Sequence, residues 1–196
     1  MNKEIDLSKW IRVSSVVGLL PSMGSDGLWG YPLQKIDSSV LQRKAALGTA
    51  VHAAIASHIK NEFLVISDAE QGYLNSYLKW EASIKLECYQ VETRLFYEPM
   101  NLTGCIDMIG SVSQHGICQI IDFKCTVAPD HKKWALQGAL YEFLAKANGM
   151  TLDKRCLFVQ LDPNGSFPKI HEYEITPKLT ATAISLYNTY IYLTQS

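Results

Sequence analysis

Three successive segments with a two-residue hydrophobic period, enclosed by helical segments on both sides, constrain the fold most strongly. They cover 88–99, 102–112 and 116–127, and only short turn sequences separate them. Short turns join antiparallel strands, so these segments predict a three-stranded antiparallel meander. The segments with a helical period are 38–63, 67–86, 131–149 and 177–194.

Two further short segments, 154–162 and 169–175, have the composition of strands and follow the third long helix. The whole pattern predicts a mixed α/β (α+β) protein with a central mixed β-sheet flanked by helices, in the core order α-β-β-β-α-β. No repeat or linker divides the chain, which predicts a single domain over 1–196 with a helical or irregular N-terminal extension over about 1–45.

The composition indicates an ordinary soluble protein of the cytoplasm. Of the 196 residues, 47% are hydrophobic and 19% are charged, and no apolar stretch is long enough to span a membrane. Five cysteines without a CxxC pair argue against a disulfide framework and a structural zinc site. The net charge of -1 gives no general attraction to nucleic acid, and an enzyme would need only local positive charge around its site.

The stretch from Gln119 to Cys125 places a carboxylate and an ammonium on one side of a predicted strand, because Asp122 and Lys124 are two residues apart. The preceding strand carries Asp107, which can approach Asp122 across an antiparallel pair. Two neighbouring carboxylates repel each other unless a proton or a cation lies between them, and Mg²⁺ binds through one or two carboxylates. The alternative is an exposed ion pair with little energetic value.

The sequence resembles the PD-(D/E)XK nuclease superfamily, and within it the RecB-like and phage-type exonuclease branch. The resemblance rests on four short motifs that occur in the family's order. They are GxxxH at Gly48–His52, GxxD at Gly104–Asp107, DxK at Asp122–Lys124 and QxxxY at Gln137–Tyr141. The family implies a restriction-endonuclease-like core, which agrees with the order of elements read from the residues.

The resemblance implies a set of metal ligands. Asp107 and Asp122 would bind the metal directly, helped by the backbone carbonyl of Phe123. His52 would be a further ligand from the helix that packs across the sheet, although a histidine among alanines is more often a core residue. Glu92 matches an acidic residue of the first core strand in many members, where it is a ligand or lies behind the ligands.

The resemblance also implies the catalytic set, which comprises Asp107, Asp122, Lys124, Gln137 and Tyr141. Lys124 would position the attacking water, while Gln137 and Tyr141 would line the site. From the residues alone, Gln137 and Tyr141 are equally explained as a polar seam along one helical face.

The start of the same helix, Lys132, Lys133 and Trp134, is a candidate nucleic-acid-binding segment. The lysines could contact phosphates and the tryptophan could stack on a base. Solvated lysines and a core tryptophan explain the same residues.

The family therefore predicts a Mg²⁺- or Mn²⁺-dependent DNA nuclease, of the phage or prophage exonuclease type, acting in recombination or repair. DNA is the expected partner, with a recombination protein or further copies of the chain as additional partners and no membrane. No cysteine follows Cys156, so no iron-sulphur cluster is expected. The alternatives are a structure-specific endonuclease on the same core and a non-catalytic nucleic-acid-binding module.

Overall fold

The computed structural model describes residues 5–23, 29, 30, 37–63, 65–113 and 116–195. Residues 1–4, 24–28 and 31–36 of the predicted N-terminal extension lie outside this part. The strands are β1 (Ile11–Arg12), β2 (Ser22–Met23), β3 (Trp29–Gly30), β4 (Glu87–Tyr97), β5 (Leu102–Ser111), β6 (Gln119–Lys124), β7 (Arg155–Gln160) and β8 (Lys169–Glu174). The α-helices are α1 (Val13–Val17), α2 (Ser38–Ile59), α3 (Asp68–Ser83), α4 (His131–Ala147) and α5 (Pro177–Gln195).

The long helices begin where the sequence offers a side chain that binds free backbone amides. Asp37 precedes α2 and accepts a hydrogen bond from the Ser39 N–H at 2.8 Å. Glu70 reaches back from the first turn of α3 and accepts from the Ser67 N–H at 3.2 Å. Each such bond satisfies one of the amides that a helix leaves without an internal partner.

The central sheet is mixed, as the sequence predicts. β4, β5 and β6 form the antiparallel meander, β6 and β7 are parallel, and β8 closes the far edge antiparallel to β7. A separate pair, β2 and β3, is antiparallel. Helices cover both faces of the central sheet, so the predicted architecture of a mixed sheet flanked by helices is confirmed.

One edge of β5 is shared by two strands with a gap between them. β4 pairs with β5 along its full length, which leaves the opposite edge for β6 at Met108–Gly110 and for β1 at Leu102 and Thr103. Among the residues that the structure describes, no strand pairs with 104–107 on that edge. This gap contains Asp107.

Two hydrophobic cores lie on opposite faces of the sheet. Successive residues of β6 alternate between them: Ile120 packs on the side of α1, α4 and α5, whereas Ile121 and Phe123 pack on the side of α2 and α3. By the same alternation, Asp122 and Lys124 face α4. The helix that carries His52 therefore lies on the face opposite to Lys124.

The N-terminal segment is built into this sheet and core. β1 pairs in parallel with β5, and α1 buries Val13, Val16 and Val17 in the core on the α4 side. A two-residue strand is too short to show a hydrophobic period, so the sequence predicted only a helical or irregular extension here. The single domain over 1–196 stays a prediction.

Within the described part of the chain, no helix combines the length and the apolar character that a bilayer span requires.

We predict that Val16→Ala lowers the free energy of unfolding by about 2 kcal/mol, because the removed methyl groups are fully buried and leave a cavity. Urea denaturation measures this loss. Val65→Ala is the matched control, since Val65 is 81% exposed and its truncation should change stability by less than about 0.5 kcal/mol. Equal effects of the two substitutions would show that α1 does not contribute to the folded core.

Candidate active site

Asp107 fills the gap at the edge of β5 with its side chain. Met108 pairs with Ile121, and the same register places Asp107 opposite Asp122 on β6. Here the two strands stop exchanging backbone hydrogen bonds. The Phe123 N–H instead donates to Asp107 Oδ2 at 2.8 Å, in a buried setting. The carboxylate thus takes the place of a backbone carbonyl in the ladder.

The Phe123 carbonyl points toward the same gap. In an extended strand, the N–H and C=O of one residue point to the same neighbouring strand. The Phe123 N–H points to Asp107, and the next carbonyl, that of Lys124, accepts from the Leu161 N–H on the β7 side at 2.9 Å. We infer that the Phe123 carbonyl faces Asp107, where a carbonyl ligand is predicted.

His52 reaches the gap from α2. Its Nδ1 lies 3.1 Å from Asp107 Oδ1, and its ring meets the Phe123 ring edge-on at a centroid distance of 6.4 Å. Burial alone would lower the pKa of His52, but the charges of Asp107 and Asp122 outweigh it and raise the pKa to about 9. His52 is therefore an ion-pair partner of Asp107 at a polar boundary and not a core histidine, and its imidazole would have to release a proton in order to bind a metal.

Glu92 lies beside this pair. The pairing of Val91 with Met108 and of Thr93 with Ile106 places Glu92 opposite Asp107 on β5. One ligand atom from each of His52, Glu92 and Asp107 lies within 4.8 Å of the other two. Among the described residues, these three form the group whose atoms could surround one cation, and we call it the metal group.

Glu92 also has a backbone conformation that is rare for a residue with a side chain. Its φ is 51°, in the left-handed region, although it lies inside a strand. Such conformations cost about 1–3 kcal/mol and concentrate at functional sites. The sequence contains no signal for this φ, because a single glutamate in an alternating segment predicts ordinary extended backbone.

A second group, which we call the lysine network, connects β6 to α4. Its centre is Gln137, whose Nε2 donates to Asp122 Oδ1 and to the Tyr141 hydroxyl, both at 3.0 Å. Gln137 Oε1 accepts from Lys124 Nζ at 3.0 Å. The Gln137 amide thus binds a carboxylate, an ammonium and a phenol. Both of its N–H groups are used as donors.

Asp122 is the most deeply buried charged residue of the lysine network, with 1% of its surface exposed. Lys124 Nζ lies 2.6 Å from Asp122 Oδ2, but no donor is aligned to make a hydrogen bond to that oxygen. Burial raises the pKa of Asp122 and the charge of Asp107 adds to this, while Lys124 opposes both. The exposed-ion-pair interpretation of Asp122 and Lys124 is therefore wrong.

These donors fit a divalent cation. Mg²⁺ and Mn²⁺ prefer carboxylate and carbonyl oxygens, whereas imidazole is the more usual ligand of Zn²⁺, Cu²⁺, Fe²⁺ and Ni²⁺. The metal group supplies two carboxylates and an imidazole, the Phe123 carbonyl faces the same gap, and Asp122 keeps one buried oxygen without a hydrogen bond. The structure separates Asp122 from the compact metal group, however, and binds it to Lys124 and Gln137.

Trp134 does not fit the predicted role of stacking on a base. Only 4% of its surface is exposed, and its ring stacks on Phe158 with centroids 5.6 Å apart. It lies on the inner face of α4, so the core interpretation is correct. Lys133 lies 3.7 Å from Asp130 and Lys132 is exposed, and their predicted contacts with phosphates stay predictions.

Phe158 is a residue of the site that the sequence did not indicate. It is fully buried on β7, and Lys124 Nζ lies 5.3 Å from the centre of its ring. An ammonium over an aromatic face is attracted by the ring's charge distribution. The Phe158 ring therefore stabilises the Lys124 ammonium, and the Trp134 ring stacks on Phe158.

The two motif glycines have different surroundings. A Cβ atom at Gly104 would lie 2.7 Å from Tyr141 Cε1, so the missing side chain lets the ring of Tyr141 pack against β5. A Cβ at Gly48 would meet no atom within 4 Å. The glycine of GxxD is thus required by packing against α4, whereas no atom in the described part of the chain occupies the space beside the glycine of GxxxH.

Comparisons with known proteins give likenesses among solved structures only. No protein-family model and no curated protein sequence matches the chain. A candidate exonuclease from Eubacterium rectale has a similar structure, with a TM-score of 0.50 and 12% identity, covering 96% of this chain and 84% of that one. An alkaline exonuclease from Laribacter hongkongensis gives a TM-score of 0.47 and 10% identity, covering 94% of this chain and 87% of that one. The first likeness shows that the chain shares the fold of the Eubacterium rectale protein.

We predict that Gly104→Ala lowers the free energy of unfolding by about 1–3 kcal/mol, because the new methyl group overlaps the rigid ring of Tyr141. Thermal or urea denaturation measures the loss. Gly48→Ala is the control within a second motif. It should raise stability by up to about 1 kcal/mol, since alanine favours the helix and meets open space. A stable Gly104→Ala protein would contradict the packing role.

Proposed function

We propose that the protein is a Mg²⁺- or Mn²⁺-dependent deoxyribonuclease of the PD-(D/E)XK superfamily that hydrolyses phosphodiester bonds. Within the RecB-like and phage-type branch, it would be an exonuclease acting in recombination or repair. The observation that carries the proposal is that Asp107 of the metal group lies opposite Asp122, which forms a buried ion pair with Lys124 that Gln137 bridges by hydrogen bonds. The shared fold with a candidate exonuclease supports it.

Asp107, Glu92 and His52 would hold the cation, with the Phe123 carbonyl and Asp122 bordering the same gap. When bound, the cation would supply positive charge to the scissile phosphate and increase the acidity of water. The protein's part is to hold the ligands in place. Asp107 is fixed by the Phe123 amide, and it fixes His52 in turn.

Lys124 provides the positively charged hydrogen-bond donor of the site. Its ammonium has three donors; Gln137 receives one, and the approach of Asp122 is ionic. The remaining capacity can orient a water molecule toward the phosphorus and stabilise the negative charge that develops on the phosphoryl oxygens. Water adds to phosphorus and releases one proton to solvent, the ester P–O bond breaks, and the departing oxygen takes up a proton from solvent.

Gln137 and Tyr141 would act by holding Lys124 in position. Gln137 fixes Lys124 relative to Asp122, and the Tyr141 ring fixes Gln137 against β5 through the space left by Gly104. Reacting groups need placement to within fractions of an ångström, and a rigid support of this kind provides it. We assign positioning to both residues.

The direct test incubates the purified protein with end-labelled linear duplex and single-stranded DNA and Mg²⁺, with and without a chelator. Cleavage that stops with the chelator and in Asp107→Asn supports the proposal. End-blocked duplex and closed circles separate the subclasses, because an exonuclease spares both and an endonuclease cuts at least one. Mg²⁺-independent cleavage, or DNA binding without any cleavage, would contradict the proposal and favour the non-catalytic module.

The branch also predicts association with a recombination protein or with further copies of the chain. Light scattering after size-exclusion chromatography, with and without DNA, measures the association between copies of the chain directly.

We predict that Lys124→Gln reduces the cleavage rate by about 100-fold or more, because the charge over the phosphate is lost. Glutamine is chosen over alanine because it can still donate to Asp122, which would otherwise stay buried with one partner fewer. The variant should keep its affinity for Mn²⁺ in calorimetry. Lys169→Gln, on the exposed edge strand β8, should cleave at the wild-type rate. Cleavage by Lys124→Gln within tenfold of wild type would exclude the assigned role.

A further inference from the structure

Cys105 lies beside the metal group without belonging to it. It is on β5, two residues before Asp107, and its Sγ donates to Glu92 Oε2 at 3.4 Å. Arg94 is its direct partner across the strands, which makes Glu92 a diagonal neighbour. Diagonal neighbours are about 7–8 Å apart at the backbone, a distance that a glutamate side chain can bridge.

Glu92 needs such a partner more than the other members of the metal group do. Asp107 is buried and held by a backbone amide, and His52 is half-buried against Asp107. Glu92 is exposed, and its long side chain has several rotamers to lose when it is held in one position. Ordering a side chain of this kind costs up to about 2 kcal/mol in lost rotamer freedom.

The geometry of Cys105 suits a hydrogen-bond donor. A thiol has one weak S–H donor, and the distance of 3.4 Å from Cys105 Sγ to Glu92 Oε2 is within reach of a sulfur donor. The thiol can therefore donate its proton to the carboxylate of Glu92.

We propose that Cys105 is a positioning residue for the metal-binding carboxylate of Glu92, and that its thiol holds this carboxylate toward His52 and Asp107. The inference rests on the proposed function, because it takes Glu92 as a ligand of the cation. Two observations carry it together. One is the Sγ to Oε2 contact, and the other is the left-handed φ of Glu92, which directs this side chain out of the regular strand pattern.

The other thiol on this edge of the sheet offers a control. Cys88, on β4, donates to the Gln90 carbonyl of its own strand at 3.5 Å and lies outside the metal group. Cys88→Ala removes a thiol of similar exposure without touching Glu92.

The experiment titrates Mn²⁺ into the DNA-free protein by calorimetry and records the melting temperature of each variant. Cys105→Ala should weaken Mn²⁺ binding by about tenfold or more, which is usual for the loss of a partner behind a ligand. Cys105→Ser keeps a donor and should bind within about threefold of wild type, as should Cys88→Ala. The melting temperature should follow none of these differences.

A double-mutant cycle tests whether the effect passes through Glu92. In a Glu92→Gln background, Cys105→Ala should cause no further loss of Mn²⁺ affinity, because the two residues act as one unit. Wild-type affinity in Cys105→Ala, or an equal loss in both backgrounds, would overturn the inference while leaving the metal site intact. Absence of Mn²⁺ binding by the wild-type protein would overturn both this inference and the proposed function.

Discussion

The hydrogen bond from the Phe123 amide to the Asp107 carboxylate is the interaction on which the site depends. A gap in a sheet leaves buried backbone groups without partners, and each such group costs about 1–3 kcal/mol. Here the carboxylate satisfies the amide, and the strands separate without that loss. The same bond orients Asp107, which in turn binds His52 of helix α2. The opening between β5 and β6 therefore leaves the buried Phe123 amide satisfied, and it holds Asp107 beside His52.

Electrostatic balance explains why two carboxylates can lie opposite each other at this opening. Each has its own cation: Asp107 pairs with His52 from the α2 side, and Asp122 pairs with Lys124 on the α4 side. The charges of Asp107 and Asp122 raise the pKa of His52. Burial raises the pKa of Asp122, although the charge of Lys124 opposes this. The metal group and the lysine network meet where Asp107 lies opposite Asp122.

The sequence was informative wherever local periodicity or motif spacing decides the outcome. The two-residue period predicted the antiparallel meander, and four motifs in order indicated residues that the fold brings together, from His52 to Tyr141. Local patterns could not predict β1, which is two residues long and pairs with a strand some 90 residues away. They also could not decide which face of α4 turns inward, because that helix is apolar on most sides. The sequence therefore leaves Trp134 open between stacking on a base and packing in the core, and its burial places it in the core.

Glu92 shows the same limit at the scale of one residue. Its left-handed backbone and its contact with Cys105 depend on the neighbouring strand. Neither can be predicted from the local sequence VETR at 91–94. The most direct test of where the cation binds is anomalous diffraction from crystals grown with Mn²⁺. The account predicts a peak enclosed by His52, Glu92 and Asp107, next to the Phe123 carbonyl. A peak elsewhere, or none at saturating Mn²⁺, would contradict it.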